Sequence, residues 1–142
     1  MKVYADTSFL VSLYYLDAHS AEAERRIQRS APSLFLTPLT ELELANALQL
    51  RIFRGEASPS EIRAATSDLE NDIRSGVFNP VPMPAETYQL ARRMSTKKTS
   101  TLGVRSLDIL HVACATLLKA DRFWTFDARQ TQLARAEGLR LR

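Results

Sequence analysis

The feature that most constrains the fold of this chain is a regular alternation of short β-prone runs with longer segments of helical periodicity. Parallel strands need long crossover connections, and helices usually supply them. The pattern therefore predicts an α/β fold: a three-layer α/β/α sandwich with a central parallel sheet of four to five strands. The strands are predicted at Lys2–Ala5, Leu34–Leu36, Val77–Val81 and Phe123–Phe126, with a last short one at Leu139–Leu141.

The segments between the strands carry the helical signals. Thr7 and Ser8 offer N-cap hydroxyls to the first helix. The segment Leu107–Lys119 is apolar nearly all round and is predicted to be a buried helix, whereas Thr99–Gly103 is predicted to be a polar loop. The helices are predicted over residues 9–16, 20–30, 39–53, 58–75, 85–97, 107–119 and 128–137.

Length and composition indicate one soluble domain over residues 1–142. The longest nearly apolar run, Ile109–Leu118, is too short to span a bilayer, so no membrane association is expected. Asp6 interrupts the N-terminus before any apolar segment forms, so no signal peptide is predicted. Cys114 is the single cysteine, which excludes an intramolecular disulfide. These features favour the cytoplasm.

Candidate catalytic residues are four carboxylates: Asp6, Glu43, Asp108 and Asp127. Asp6 and Asp127 follow predicted strands, while Glu43 and Asp108 lie near the starts of predicted helices. Ligands of open α/β sheets bind beyond the carboxyl ends of the strands, so all four could face one crevice. A cluster of acids is costly unless a cation holds it together, and Mg²⁺ or Mn²⁺ favours such oxygen ligands. The pattern favours phosphodiester hydrolysis at a divalent-metal site.

Each acid also has a simpler interpretation. Asp6 and Asp127 could cap the helices that follow them. Asp108 could be a first-turn acid favoured by the helix dipole, but it opens an apolar helix in which a lone buried charge would need a partner. Ser106 is a candidate N-cap for that helix.

Glu43 competes with its neighbour Glu41 for the role of ligand. We prefer Glu43, since it shares a helical face with Asn46, whose amide could hydrogen-bond a carboxylate or a phosphate. His111 lies one turn after Asp108, and a hydrogen-bonded core histidine is favoured over a metal ligand or a general base.

The basic residues favour an anionic partner only weakly, because the net charge is +3. We expect five side chains to hold phosphates of a polyanionic partner beside the acids, so that binding weakens as salt rises. A loop can bend into a narrow crevice more easily than a duplex, which favours a single-stranded nucleic acid. The five side chains are Arg51, Arg54, Lys97, Lys98 and Arg105.

The chain resembles PIN-domain proteins of the VapC toxin type. The resemblance rests on four segments, whose order and spacing cover essentially the whole chain. They are Val3-Tyr4-Ala5-Asp6-Thr7-Ser8, Thr40-Glu41-Leu42-Glu43-Leu44-Ala45-Asn46-Ala47-Leu48, Ser106-Leu107-Asp108-Ile109-Leu110-His111-Val112-Ala113 and Thr125-Phe126-Asp127.

The resemblance implies a Mg²⁺- or Mn²⁺-dependent endoribonuclease, a homodimer and a VapB-like antitoxin that inserts a segment into the active-site groove. It implies that Asp6, Glu43 and Asp108 are the core metal ligands and that Asp127 is the fourth acid. It also implies that the hydroxyls of Thr7, Ser8 and Thr125 orient the carboxylates.

One departure from the family pattern concerns the number of metals. Many relatives carry a further acid a few residues beyond the last-strand Asp, whereas here Arg129-Gln130-Thr131-Gln132 follows. A second metal site is therefore an open question.

The remaining alternative to a ribonuclease is a non-catalytic PIN-fold module that binds RNA or a protein. A phosphatase with an aspartate nucleophile is disfavoured, because Ser8 stands where its second Asp would be expected.

Overall fold

The fold alternates strands and helices along the whole chain. A computed structural model describes residues 1–142. The elements, in chain order, are β1 (Lys2–Ala5), α1 (Thr7–Tyr14), α2 (Ser20–Ser30), β2 (Ser33–Leu36), α3 (Pro38–Phe53), α4 (Pro59–Ser75), β3 (Phe78–Pro80), α5 (Thr87–Leu102), α6 (Ser106–Leu117), β4 (Arg122–Trp124) and α7 (Ala128–Ala136).

The four strands form one parallel sheet in the order β3-β2-β1-β4. Val3 of the central strand β1 pairs with Leu34 of β2 and with Arg122 of β4, and Leu34 in turn pairs with Phe78 of β3. All pairs are parallel, so the carboxyl ends of the strands meet at one edge. The parallel α/β sheet predicted from the sequence is confirmed.

Helices cover both faces of the sheet. Successive residues of β1 point to opposite faces: Val3 and Ala5 join one apolar cluster, and Tyr4 joins the other. The first cluster draws buried side chains from α1, α3 and α4, including Phe9. The second draws them from α5, α6 and α7, including Leu133. The sandwich therefore has two separate cores with the sheet between them.

Helix α6 is buried over most of its length, as its apolar sequence predicted. Every residue from Asp108 to Ala115 is buried. Burial raises the pKa of the Cys114 thiol to about 11, so this side chain behaves as a small apolar residue of the core.

Two local predictions are wrong. The segment Thr99–Gly103 is not a loop, because α5 continues through it and ends only where Gly103 takes a left-handed conformation at φ 63°. The helix extends because Leu102 packs against the second core. The fifth strand, Leu139–Leu141, does not form; the segment makes a single backbone hydrogen bond to the sheet, from Phe123 N to Arg140 O at 2.8 Å.

The helix starts at the sheet edge also differ from the prediction. Asp6, not Thr7 or Ser8, is the N-cap of α1. Arg105 occupies the N-cap position of α6, and Ser106 is the first helical residue. None of the helices combines the length and the apolar composition needed to cross a lipid bilayer.

Candidate active site

A cleft of about 420 Å³ opens at the carboxyl ends of β1 and β4. The starts of α1, α6 and α7 and the middle of α3 surround it, so partial positive charges at three helix N-termini face its acids. All four candidate carboxylates line this cleft. The lining residues are Asp6, Thr7, Ser8, Leu42, Glu43, Asn46, Ala47, Leu50, Arg105, Leu107, Asp108, Asp127 and Gln130.

Asp6 lies at the floor of the cleft and is 2% exposed. Its Oδ1 accepts hydrogen bonds from Ser8 Oγ at 2.8 Å and from Phe9 N at 3.0 Å. Both bonds fall on one oxygen, so Oδ2 accepts none of the hydrogen bonds that fix the side chain. Burial raises the pKa of Asp6 despite these donors. Asp6 therefore caps α1 and lines the cleft at the same time.

Glu43 is held by a chain of buried polar groups. Its Oε2 accepts a hydrogen bond from Thr7 Oγ1 at 2.8 Å and contacts His111 Nε2. A carboxylate only accepts, so His111 carries a hydrogen on Nε2. On the other side of the ring, His111 Nδ1 lies 2.9 Å from the Tyr4 hydroxyl, which also lies 3.3 Å from Thr40 Oγ1.

The same chain sets the charge of its members. Burial raises the pKa of Tyr4, so its hydroxyl stays neutral and can donate to His111 Nδ1. Burial opposes ionisation of Glu43 as well, but the hydrogen bonds from His111 and Thr7 outweigh it and lower the pKa of that carboxyl. Glu43 is thus kept ionised and fixed in orientation.

Asp108 receives hydrogen bonds on both oxygens. Gln130 Nε2 donates to Oδ1 at 3.1 Å, while Arg105 donates to Oδ2 from its backbone N at 3.2 Å and from Nε at 3.1 Å. Burial alone would raise the pKa of Asp108, but these donors lower it below the ordinary value. The partner that a buried charge at the start of α6 needs is therefore Arg105 together with Gln130.

Asp127 is the N-cap of α7, since its Oδ1 accepts from Gln130 N at 2.9 Å. Arg105 Nη2 lies 3.9 Å from its Oδ2. The Thr125 hydroxyl holds the turn that leads from β4 to Asp127. Asp127 N donates a hydrogen bond to Thr125 Oγ1 at 2.9 Å, and Ser8 Oγ lies 3.2 Å from the same oxygen. Ser8 thus connects the turn after β4 to the start of α1.

The cleft is strongly acidic. Arg105 is the one basic side chain among its lining residues, against four carboxylates. Its contact with Asp108 raises the pKa of its guanidinium. Of the other basic residues predicted to hold RNA, Arg51 and Arg54 line an adjoining recess that also contains Arg105. Lys97 and Lys98 line neither space.

Three further polar residues lie in or near the cleft. Asn46 lines it, is exposed and makes no side-chain hydrogen bond. Glu41 is exposed and lies outside the cleft lining, so Glu43 is the acid that faces it. Sequence reasoning missed Gln130, which is 4% exposed and touches Asp108. Its position three residues after Asp127 on the same helix was the one available signal.

The donor set of the cleft fits a hard divalent cation in its chemistry. Four carboxylates supply oxygens, which Mg²⁺ and Mn²⁺ prefer to nitrogen or sulfur. Gln130 Oε1 is buried and accepts no hydrogen bond, so a water or a cation in the cleft would satisfy it. The side chains are not pre-assembled as a ligand group, because no three His, Cys, Asp or Glu side chains converge closely enough to hold an ion.

Comparison with known proteins identifies the family. The PIN domain model matches residues 3–136. The chain belongs to the PIN-domain family. A search of curated protein sequences gives no match.

Solved structures show that the PIN fold extends over the whole chain. The sarcin-ricin-loop-cleaving toxin VapC20 of Mycobacterium tuberculosis is similar with a TM-score of 0.72 and 19% identity, covering 96% of this chain and 95% of that one. VapBC2 of Rickettsia felis, bound to a promoter DNA fragment, is similar with a TM-score of 0.71 and 16% identity, covering 100% of this chain and 98% of that one. FitAcB of Neisseria gonorrhoeae is similar with a TM-score of 0.71 and 14% identity, covering 98% of this chain and 95% of that one.

Proposed function

We propose that this PIN-domain protein is a metal-dependent endoribonuclease and the toxin of a toxin–antitoxin pair of the VapC type. The observation that carries the proposal is the acidic cleft, in which Asp6, Glu43, Asp108 and Asp127 meet a single arginine. Such an excess of carboxylate charge favours a bound cation, and burial makes the charge of Asp6 costly without one. Membership of the PIN family and the likeness to VapC20 add independent support.

In this proposal Asp6, Glu43 and Asp108 hold Mg²⁺ or Mn²⁺, and Asp127 helps to position the attacking water. The ion would lower the pKa of a bound water and neutralise charge on the phosphate. The chain's own contribution is orientation: Ser8 fixes Asp6, His111 and Thr7 fix Glu43, and Gln130 fixes Asp108.

Arg105 has two roles in the proposal. In the free protein its guanidinium lies between Asp108 and Asp127 and reduces the repulsion between them. Its side chain is two-thirds exposed, so it can turn toward an RNA phosphate when a strand enters. Arg51 and Arg54 would hold phosphates in the recess beside it. A single strand fits this arrangement better than a duplex does.

The structural neighbours support an antitoxin partner. VapBC2 and FitAcB suggest that an antitoxin of the VapB type binds this chain. We further propose that residues 1–142 act as one domain, that the chain forms a homodimer and that it works in the cytoplasm. Size-exclusion chromatography with light scattering tests the dimer; a monomer across the micromolar range would contradict it.

The decisive experiment is cleavage of a structured RNA with single-stranded loops, in Mg²⁺, in Mn²⁺ and in EDTA. Glu43→Gln should abolish cutting, whereas Glu41→Gln is a matched control that removes an exposed acid two residues away on the same helix. Asp6→Asn and Asp108→Asn should also be inactive.

Retained cutting in Glu43→Gln, or cutting that persists in EDTA, would refute the assignment of the acids. A wild-type protein that binds RNA but cuts none under any metal would favour a non-catalytic PIN-fold binding module.

A further inference from the structure

A second concave surface, away from the acidic cleft, is lined by arginines. This arginine recess has a volume of about 500 Å³ and lies between α2, the start of β1 and the edge strand β4. It shares no residue with the acidic cleft or with the adjoining recess. Its arginines are Arg26, Arg29, Arg122 and Arg142.

The positive charge of the arginine recess is poorly compensated within the protein. Glu22 is its one acidic side chain and already pairs with Arg25 and Arg26, at 2.7 and 2.8 Å. Arg29 and Arg122 have no carboxylate within 4.0 Å. Several guanidinium groups around one concave surface favour an anion, and their planar forks match phosphate oxygens.

The arginine recess is connected to the active site through one aromatic residue. The guanidinium of Arg26 lies over the ring of Phe126, 5.6 Å from its centroid, and Phe126 directly precedes Asp127. The exposed His19 ring stacks on Phe126 with the centroids 4.4 Å apart. From Arg122 to Phe126 the backbone can span at most about 14 Å. A short length of RNA leaving the cleft can therefore reach the arginines.

We propose that the arginine recess binds backbone phosphates of the same RNA strand that occupies the acidic cleft. The inference rests on the proposed ribonuclease function and extends it, because the substrate is then held at two places. The size of the recess fits a nucleotide or more rather than a single small anion. The exposed His19 ring, which stacks on Phe126, offers an aromatic face beside the phosphate sites. Most of the binding there is independent of sequence.

The test is the salt dependence of RNA binding, measured by fluorescence anisotropy in EDTA so that no cutting occurs. The test protein carries Arg29→Gln and Arg122→Gln together. The control carries Arg63→Gln and Arg74→Gln, which remove the same charge from the exposed side of α4. Neither control residue lines the cleft, the adjoining recess or the arginine recess. Circular dichroism establishes that both double variants are folded.

We expect the Arg29→Gln/Arg122→Gln protein to bind single-stranded RNA on the order of ten-fold more weakly at low salt. The slope of log K against log salt should become shallower by roughly 0.7 for each phosphate that the variant no longer binds. The ratio of wild-type to variant affinity should be larger for a long strand than for a short one. The control should keep the wild-type affinity and slope.

Equal slopes in the wild type and in the Arg29→Gln/Arg122→Gln protein, in a preparation whose wild type binds and cuts RNA, would overturn the arginine recess alone. Equal losses of affinity in test and control would also overturn it, because a general charge effect would then explain them. A wild type that neither binds nor cuts RNA would overturn both this inference and the proposed ribonuclease function.

Discussion

The buried chain Tyr4–His111–Glu43 gives the sharpest stability prediction. Tyr4→Phe removes one hydroxyl while the ring keeps its stacking on Phe123, at a centroid distance of 5.8 Å. His111 is 1% exposed, so its Nδ1 is left without a partner in the interior. Thr40 keeps its contact with Thr37 at 2.9 Å, so no second group is orphaned.

An unsatisfied buried polar atom costs about 1–3 kcal/mol, so Tyr4→Phe should lower the free energy of unfolding by about 2 kcal/mol. For a domain of this size that corresponds to a fall in Tm of roughly 7 °C. Urea denaturation in EDTA measures the free energy, and calorimetry measures Tm. The control is Tyr88→Phe: Tyr88 is 69% exposed, and we expect a change below about 0.5 kcal/mol. Equal stability of Tyr4→Phe and wild type would refute the role assigned to the buried chain.

Three further predictions concern the cleft, the first two in the metal-free protein and the third in the protein with its metal. Burial raises the folded-state pKa of Asp6, so the ionised side chain destabilises the folded protein. Asp6→Asn should therefore raise Tm in EDTA at pH values above the folded-state pKa. The gain in Tm should vanish as the pH falls below the unfolded-state pKa of Asp6. A marked loss of Tm would instead assign Asp6 to capping alone. Asp108 has a lowered folded-state pKa, so Asp108→Asn should cost stability at neutral pH and lose this cost as pH falls through the folded pKa. Since Arg105 is largely exposed, the cost should stay below about 1 kcal/mol in urea denaturation, and a larger loss would contradict screening of this pair by solvent. Gln130→Met removes both the donor to Asp108 and the unpaired Oε1, so the free energy of unfolding should change little. The rate of RNA cleavage should fall roughly 10–100-fold, because Asp108 loses a group that orients it. An unchanged rate would exclude an orienting role for Gln130.

The sequence predicted the architecture because the fold depends on patterns that are local. The apolar composition of α6 was enough to predict its burial, and strand-like runs separated by helices were enough to predict a parallel sheet. The errors arose where tertiary contacts determine the secondary structure. Polar residues Thr99–Thr101 suggested a loop, but the packing of Leu102 and the left-handed Gly103 carry α5 past them. At the C-terminus, apolar Leu139 and Leu141 pack on the second core without forming a strand.

The site was predictable in part for the same reason. Acids that follow strands or open helices must lie near one edge of a parallel sheet, so Asp6, Asp108 and Asp127 could be placed from their elements alone. The hydrogen-bond partners of Asp108 could not be placed. Gln130 reaches Asp108 only because α7 packs beside α6, and this packing has no local sequence signal.

The ribonuclease function proposed for this chain requires that the acidic cleft binds a divalent cation. The most direct test is a Mn²⁺ titration, followed by electron paramagnetic resonance, of protein that has been treated with EDTA and desalted. We expect saturable Mn²⁺ binding that is retained in Glu41→Gln and strongly weakened in Glu43→Gln and Asp6→Asn. Absence of saturable binding in the wild type, or equal binding in Glu43→Gln and Glu41→Gln, would contradict the claim.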